Sequence, residues 1–542
     1  MKIYNYKYKI ILCTTIIMMF ICSMKNKYYF LELNKNLEIF TNVIKELNTY
    51  YVNEIDPNLT IRTGIRAILS SLDPYTNFIT EQEGNYYTIL TTGTYGGIGS
   101  LVGNRNNKNI IIMPYKGSPA HRQKLKIGDE IIKINKINIQ EKSINYISDL
   151  LRGEPNSKIK LLIKRYGNPK PILINLLREQ IAIKSIAYSG IIENDIGYIK
   201  LSEFTINASV ELKCSLIKLK KLGMKKLILD LRGNPGGMLD EGVKISNLFI
   251  KEGLKIVETI GRFKHLNKIY NSNSITYDNK IPIIILINSG TASSSEIVAG
   301  AIQDHDRGIL VGENTFGKGL VQITRPLGYS TYIKLTSAKY YTPSGRSVQS
   351  INYNNKKKKK LKKKFKTKNG RIIYNEKGIN PDIKKNKFSF SPITISLFIK
   401  GLIFNYATIF YHNNNKINTA KKFKISDKEY NNFINWISKK DYYYIDKIEQ
   451  IIDNLIKQAK NENYYINIKK QIYSIICTIQ KNKEYDLKKF KKEIKWILKE
   501  EIASRYYLQE GAIEASFDYD KSIKTSVKIF KDINKYYRIL QN

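Results

Sequence analysis

The chain has 542 residues, 42% of them apolar and 25% charged, which is the composition of globular protein with room for two to four domains. Its formal net charge of +43 is spread along the whole length, with lysine, isoleucine, asparagine and tyrosine raised together; a biased composition accounts for that better than a nucleic-acid surface, and no specific nucleic-acid partner is expected. Four cysteines, Cys13, Cys22, Cys214 and Cys477, are too few and too scattered for a disulfide framework or a zinc site.

At the N-terminus, Lys2, Lys7 and Lys9 precede an apolar run, Ile10 to Met24, followed by Lys25 and Lys27. That is the layout of a secretory signal or a short membrane anchor. The run falls short of the usual span of about 20 residues and no A-x-A cleavage signal follows, which favours an uncleaved anchor over residues 1–24. The expected location is outside the cytoplasm, in a bacterial periplasm or on the outer face of the inner membrane.

Residues 25–88 show helical periodicity in LEIFTNVIKELNTYYV and TIRTGIRAILSSL, two helices that end at Asp73-Pro74. Residues 89–180 open on Tyr95-Gly96-Gly97-Ile98-Gly99 and continue as short strands with two short helices, a compact binding module. A strand edge beside a helix in such a module accepts an extended peptide by β-augmentation, although an ordinary small α/β domain has the same composition. In residues 181–347 strands alternate with helices, which predicts an α/β core with a largely parallel sheet. Residues 348–390 hold a polybasic insert, Lys356 to Lys364, expected as a solvated loop. Residues 391–542 read as a C-terminal helical domain with no recognisable chemistry.

The chemistry concentrates between Ile281 and Gln322. Ser293-x-x-Glu296 is a capping box by spacing, yet a nucleophile at the same helix N-terminus would find free amides suited to an oxyanion. His305 and Asp304 are poor partners for it: along a helix at 1.5 Å per residue they stand about 18 Å and about 16 Å away. Lys318 differs, because the strand from Gly308 to Gly312 can bring the chain back toward Ser293, and Gly317 and Gly319 flank it. A lysine serves as a base where burial disfavours its ammonium form. Gly312 to Lys318 also fits G-x-x-x-x-G-K, but Gly319 stands where a P-loop needs Ser or Thr, and a strand pattern follows where a helix is required. A nucleotide site is therefore excluded. Asp230 to Gly237 forms a second glycine turn after a buried strand, either a tight turn into a helix or a source of further oxyanion amides.

Taken together, SSLDPYTNFI (Ser70–Ile79), YGGIG (Tyr95–Gly99), KGSPA with KIGDEIIKIN, LRG (Leu151–Gly153), GYIKLSEF, LILDLRGNPGG, GTASSSEIVAGAIQDH, VGENTFGKGLVQ and YYTPSGRSVQ closely resemble, in order, the C-terminal processing peptidases, or tail-specific proteases. The resemblance implies an α/β multidomain fold: a protease core with a mixed central sheet, an inserted PDZ module, N-terminal helices and a C-terminal helical domain. It implies Ser293 as nucleophile, Lys318 as base and Gln322 as the residue orienting it, with Asp304 at most supporting. Such a dyad needs no metal or cofactor, and neither is expected. The oxyanion donors map to the amides of Ser294 and of Gly236 or Gly237, and peptide binding to Gly97, Ile98, Gly99 and Arg152. The implied partners are unstructured C-terminal tails, with a homo-oligomer or adaptor as further expectations. Departures are Ser294 in place of the usual alanine, Gln123-Lys124-Leu125 where A-G-L is common, Ile127 in place of proline, and the polybasic insert. The alternative is a catalytically inactive PDZ scaffold at the membrane, which the presence of Ser293, Lys318 and Gln322 argues against.

Overall fold

The computed structural model describes residues 30–541, except 82, 85–88, 90–91, 274–275, 351–352, 354–362, 376, 387–388, 443 and 445–446. The expected anchor and residues 356–362 of the polybasic run lie outside the described residues. The chain divides into two compact units: the residues up to Gly84 with Gln322–Thr336, and Asn85–Val321 with Ser337–Asn542.

In the smaller unit, α1 (residues 30–50) and α2 (Pro57–Leu72) are the two predicted helices. Asp56 caps α2 by accepting the N–H groups of Asn58 and Leu59, with Pro57 at the first helical position. Asp73 stops it, accepting the N–H groups of Tyr75 and Thr76. The short strand β1 (Asn77–Ile79) then pairs antiparallel with Tyr332–Lys334.

The larger unit begins with the PDZ-like module. β2 (Thr94–Gly97) leads into β3 (Ser100–Arg105) and β4 (Lys108–Pro114). After a helical turn at Pro119–Arg122 come β5 (Glu130–Ile134), β6 (Ile137–Asn138), α3 (Ile144–Leu151), β7 (Lys158–Lys164), β8 (Ile172–Leu177) and β9 (Glu179–Ala182). The sheet order β3-β4-β5-β7-β8 leaves β3 as an edge strand, and β2 pairs with β9. Ile111, Ile134, Ile147, Leu161 and Ile163 are wholly buried in its core.

The protease-like core is a six-stranded mixed sheet: β10 (Ile186–Glu193), β11 (Ile196–Leu201), β12 (Lys226–Asp230), β13 (Ile283–Ile287), β14 (Ile309–Gly312) and β15 (Ile383–Lys384). β10 runs antiparallel to β11, and the remaining neighbours are parallel. The run Ile283-Ile-Ile-Leu-Ile287 is buried throughout, as a central parallel strand covered on both faces requires. Alternation divides it. Ile283, Ile285 and Ile287 face a cluster with residues of α4 (Ala208–Lys221), α5 (Leu239–Asn247) and α6 (Ser294–Asp304). Ile284 and Leu286 face the opposite way, into a cluster with Ile523, Val527, Phe530, Tyr536 and Leu540.

Those last residues belong to α7 (Lys521–Lys531) and α8 (Ile533–Gln541), at the far end of the chain. The C-terminal helices therefore supply one layer of the core. Tyr536 seals the join, its hydroxyl meeting both the N–H and the carbonyl of Ile283, at 3.0 and 3.1 Å. The other C-terminal helices have a core of their own around Leu397, Ile403, Phe433, Ile494 and Ile502. Among the described residues no single helix is long and apolar enough to cross a membrane.

Candidate active site

Ser293 is the N-cap of α6 and has a positive φ of 57°, a conformation that non-glycine residues seldom adopt. The strain sits on a turn between a buried strand and a helix. Glu296 supplies the capping box expected at this helix start: the Ser293 N–H donates to Glu296 Oε2 at 3.0 Å. The Glu296 N–H goes to the Ser293 carbonyl at 2.7 Å.

Glu296 does more than cap. The same Oε2 accepts the N–H of Lys318 at 2.9 Å, while Oε1 accepts the N–H of Gly317 at 2.8 Å and the Thr315 hydroxyl at 2.5 Å. Burial pushes its carboxyl above the usual range, against the pull of these donors. Tyr340 makes a second bridge, its hydroxyl meeting the carbonyls of Lys318 at 2.7 Å and Ser293 at 3.2 Å. One carboxylate and one phenol thus tie the serine turn to the lysine loop, backbone to backbone. Ser293 and Lys318 are both partly exposed within this frame.

The glycine turn lies against the same serine. A Cβ on Gly236 would stand 2.7 Å from the Ser293 Cβ and 2.9 Å from the Ser294 nitrogen, and its φ is 98°, so only glycine fits. Asn234 organises the turn. Its Oδ1 accepts the Gly236 N–H at 2.8 Å, its Nδ2 donates to the Leu201 carbonyl at 2.9 Å, and its carbonyl accepts the Ala292 N–H at 3.0 Å. The alternatives Gly236 and Gly237 are thereby separated. The Gly236 amide is used inside the turn, whereas the amides of Gly237 and Ser294 have no hydrogen-bond acceptor among the described residues. The serine that replaces the usual alanine is not idle: Ser294 Oγ donates to the Gly237 carbonyl at 3.0 Å.

Asp304 sits at the opposite end of α6 from Ser293 and is committed elsewhere. Its carboxylate accepts from the buried Arg346 at 2.8 Å and from the Ser344 N–H at 3.0 Å. Asp304 is thus the ion-pair partner of Arg346. His305 caps the same helix end, its Nε2 bonded to the Lys255 carbonyl at 2.7 Å. Gln322 belongs to the smaller unit, where its amide donates to Thr336 Oγ1 at 3.4 Å.

In the PDZ-like module, Ile98 is buried and neither its N–H nor that of Gly99 has an acceptor among the described residues. Gly99 has φ 71°, and a Cβ there would stand 2.3 Å from that of Ser118, whose hydroxyl donates to the Gly99 carbonyl at 2.7 Å. The edge strand β3 follows directly, beside α3. Arg152 caps the end of α3, with its guanidinium over the Tyr95 ring at 5.8 Å and an ion pair to Asp149 at 3.6 Å.

Three segments of the chain match known protein families. Residues 195–356 match the model of peptidase family S41, residues 111–165 that of the PDZ domain, and residues 393–530 the C-terminal helical domain of probable PDZ-proteases. The carboxy-terminal-processing protease of Bartonella bacilliformis is 36% identical over 321 residues, covering 58% of this chain and 73% of that protein. The chain belongs to peptidase family S41. It is a serine-type peptidase of the carboxy-terminal-processing group, with an α/β multidomain fold and a PDZ domain. A probable CtpA-like serine protease of Staphylococcus aureus is 34% identical over 315 residues, 58% of this chain and 62% of that protein. Among solved structures, the photosystem II D1 C-terminal processing protease is 24% identical over 63% of this chain and 88% of its own, with a TM-score of 0.37.

Several residues that build the candidate site were not singled out by the sequence. Glu296 was legible as a cap, but not as the acceptor for the lysine loop. Asn234 and Tyr340 were visible only as members of matched motifs. A buried polar residue beside two glycines is a usable signal for Asn234; nothing local marks Tyr340.

Proposed function

We propose that the peptidase uses a Ser293–Lys318 dyad to cut proteins near their C-termini after its PDZ domain has captured the tail. The observation that carries this reading is the double bridge from Glu296 and Tyr340, which keeps the strained Ser293 turn and the Lys318 loop in one frame. Preorganisation of this kind lowers the entropic part of the barrier.

In the proposed cycle, a neutral Lys318 amine takes the proton from Ser293 Oγ as the oxygen attacks the peptide carbonyl. The amides of Ser294 and Gly237 hold the oxyanion, and the lysine returns its proton to the leaving amine. Lys318 then activates the water that hydrolyses the acyl-enzyme. Gln322, four residues on in the chain, orients the lysine in this scheme. The tail would add to the open edge β3, its carboxylate received by the N–H groups of Ile98 and Gly99, with Arg152 near the end of the groove. Export to the periplasm or the outer face of the inner membrane, with an N-terminal anchor, belongs to the same reading, as does assembly with a second copy or an adaptor.

The test is turnover of a peptide with an unstructured C-terminal tail. Ser293→Ala and Lys318→Ala should each abolish it, along with labelling by a serine-reactive phosphonate, while the melting temperature stays near that of the parent. Full activity in either folded variant sinks the dyad.

A further inference from the structure

Arg232 stands at the root of the glycine turn and is gripped from two sides. Toward the sheet, its Nε donates to Asp230 Oδ1 at 2.9 Å and its Nη2 to Oδ2 at 2.6 Å; Asp230 is fully buried and also accepts the Tyr198 hydroxyl at 2.6 Å. Toward the C-terminal helical layer, Nη1 meets Asp520 Oδ2 at 2.7 Å, with both side chains mostly buried. Asp520 divides its oxygens. Oδ1 caps α7 by accepting the N–H groups of Ser522 and Ile523 at 2.9 and 3.0 Å, which leaves Oδ2 for the arginine. A partly desolvated, charge-assisted pair of this kind holds geometry well.

From Arg232 the chain enters the turn at once. The Gly233 N–H donates to Asn288 Oδ1 at 2.9 Å, and the Asn234 carbonyl accepts both the Ala292 N–H at 3.0 Å and Ser295 Oγ at 3.1 Å. Two of those three donors belong to residues within two positions of Ser293. A displacement of Arg232 is therefore transmitted to Gly237 on one side and to the serine turn on the other.

We propose that Asp520 is a positioning residue for the peptidase reaction: through Arg232, the C-terminal helical layer sets where the glycine turn presents the Gly237 amide. The inference rests on the reading of Ser293 as nucleophile and Gly237 as oxyanion donor. It gives the helical layer a part in turnover beyond covering the sheet.

The experiment uses the full chain and a tail peptide. Asp520→Asn keeps an oxygen able to cap α7 and removes the negative charge that faces Arg232. It should lower kcat by about tenfold, since small misplacements at a reacting centre cost that much or more, with KM and melting temperature near the parent's. Val527→Ala, which thins the packing of the same helix, should lower the melting temperature and leave kcat unchanged below it. In an Arg232→Lys background, Asp520→Asn should cost much less. Should Asp520→Asn fail to fold, Asp520→Ser, which also caps, replaces it with the same outcomes. Parental kcat in the folded variant, or an equal fall in Val527→Ala, overturns the proposal. A parent chain without turnover, or Ser293→Ala retaining it, overturns the dyad reading instead.

Discussion

Glu296 Oε2 accepts the backbone N–H of Lys318 at 2.9 Å, across 22 residues of chain, while the same oxygen accepts the N–H of Ser293. A carboxylate in this position acts on the two halves of the site without touching a substrate. The capping glutamate thus serves the lysine loop as well as the helix start.

Glu296→Gln should therefore be costly in two ways. The glutamine amide group brings a donor to a place where donors already converge, and at least one buried N–H loses its acceptor. The expected stability loss is about 3 kcal/mol, read by denaturant unfolding, with at least tenfold lower kcat at temperatures where the variant is folded. Parental kcat would show that the bridge only stabilises.

Gly99→Ala probes tail recognition separately from chemistry. The substitution places a Cβ 2.3 Å from Ser118 Cβ at a φ of 71°, so the loop that presents the Ile98 and Gly99 amides must shift. Fluorescence anisotropy should show at least tenfold weaker binding of a tail peptide with a free carboxylate, while phosphonate labelling of Ser293 persists. Equal affinity for free and amidated peptides in the parent chain would remove the carboxylate from the scheme.

Glu500 gives a pH signature. Burial pushes its carboxyl up to about 7, with the Trp496 indole N–H opposing and Glu501 adding. A carboxyl raised in the folded state holds its proton between about 4.5 and 7, where the unfolded chain has lost it. Stability therefore declines as pH rises through that window and stays lower above it. Glu500→Gln should be more stable than the parent at pH 8, by on the order of 3 kcal/mol, and the gap should close toward pH 4.5. A gap independent of pH rejects the assignment.

Phe530 tests the outer layer of the core. It is wholly buried in the cluster containing Ile284 and Leu286. Phe530→Ala should cost about 3–5 kcal/mol in unfolding of the peptidase core itself. A variant in which the C-terminal helices melt while the core transition is unmoved would mean that the layer is dispensable.

How much was legible follows from range. The helices at residues 30–50 and Pro57–Leu72, the buried strand at Ile283–Ile287 and the serine at a helix N-terminus are encoded in residues a few positions apart, where periodicity and capping chemistry operate. Helix length alone was enough to separate Asp304 and His305 from Ser293.

What the sequence by itself determined is thus the inventory: an α/β core, a small β-rich module, amphipathic C-terminal helices, and a serine and a lysine in motifs of one peptidase family. Tertiary structure alone decided which amide of the glycine pair is left open, what joins Ser293 to Lys318, and which surface the last two helices cover. The strand Ile283–Ile287 shows why. Its alternation announces two buried faces but names neither partner, and one of them, Tyr536, lies 253 residues away. Hydrogen bonds and packing at that distance depend on where the whole chain has come to rest, which no local pattern records.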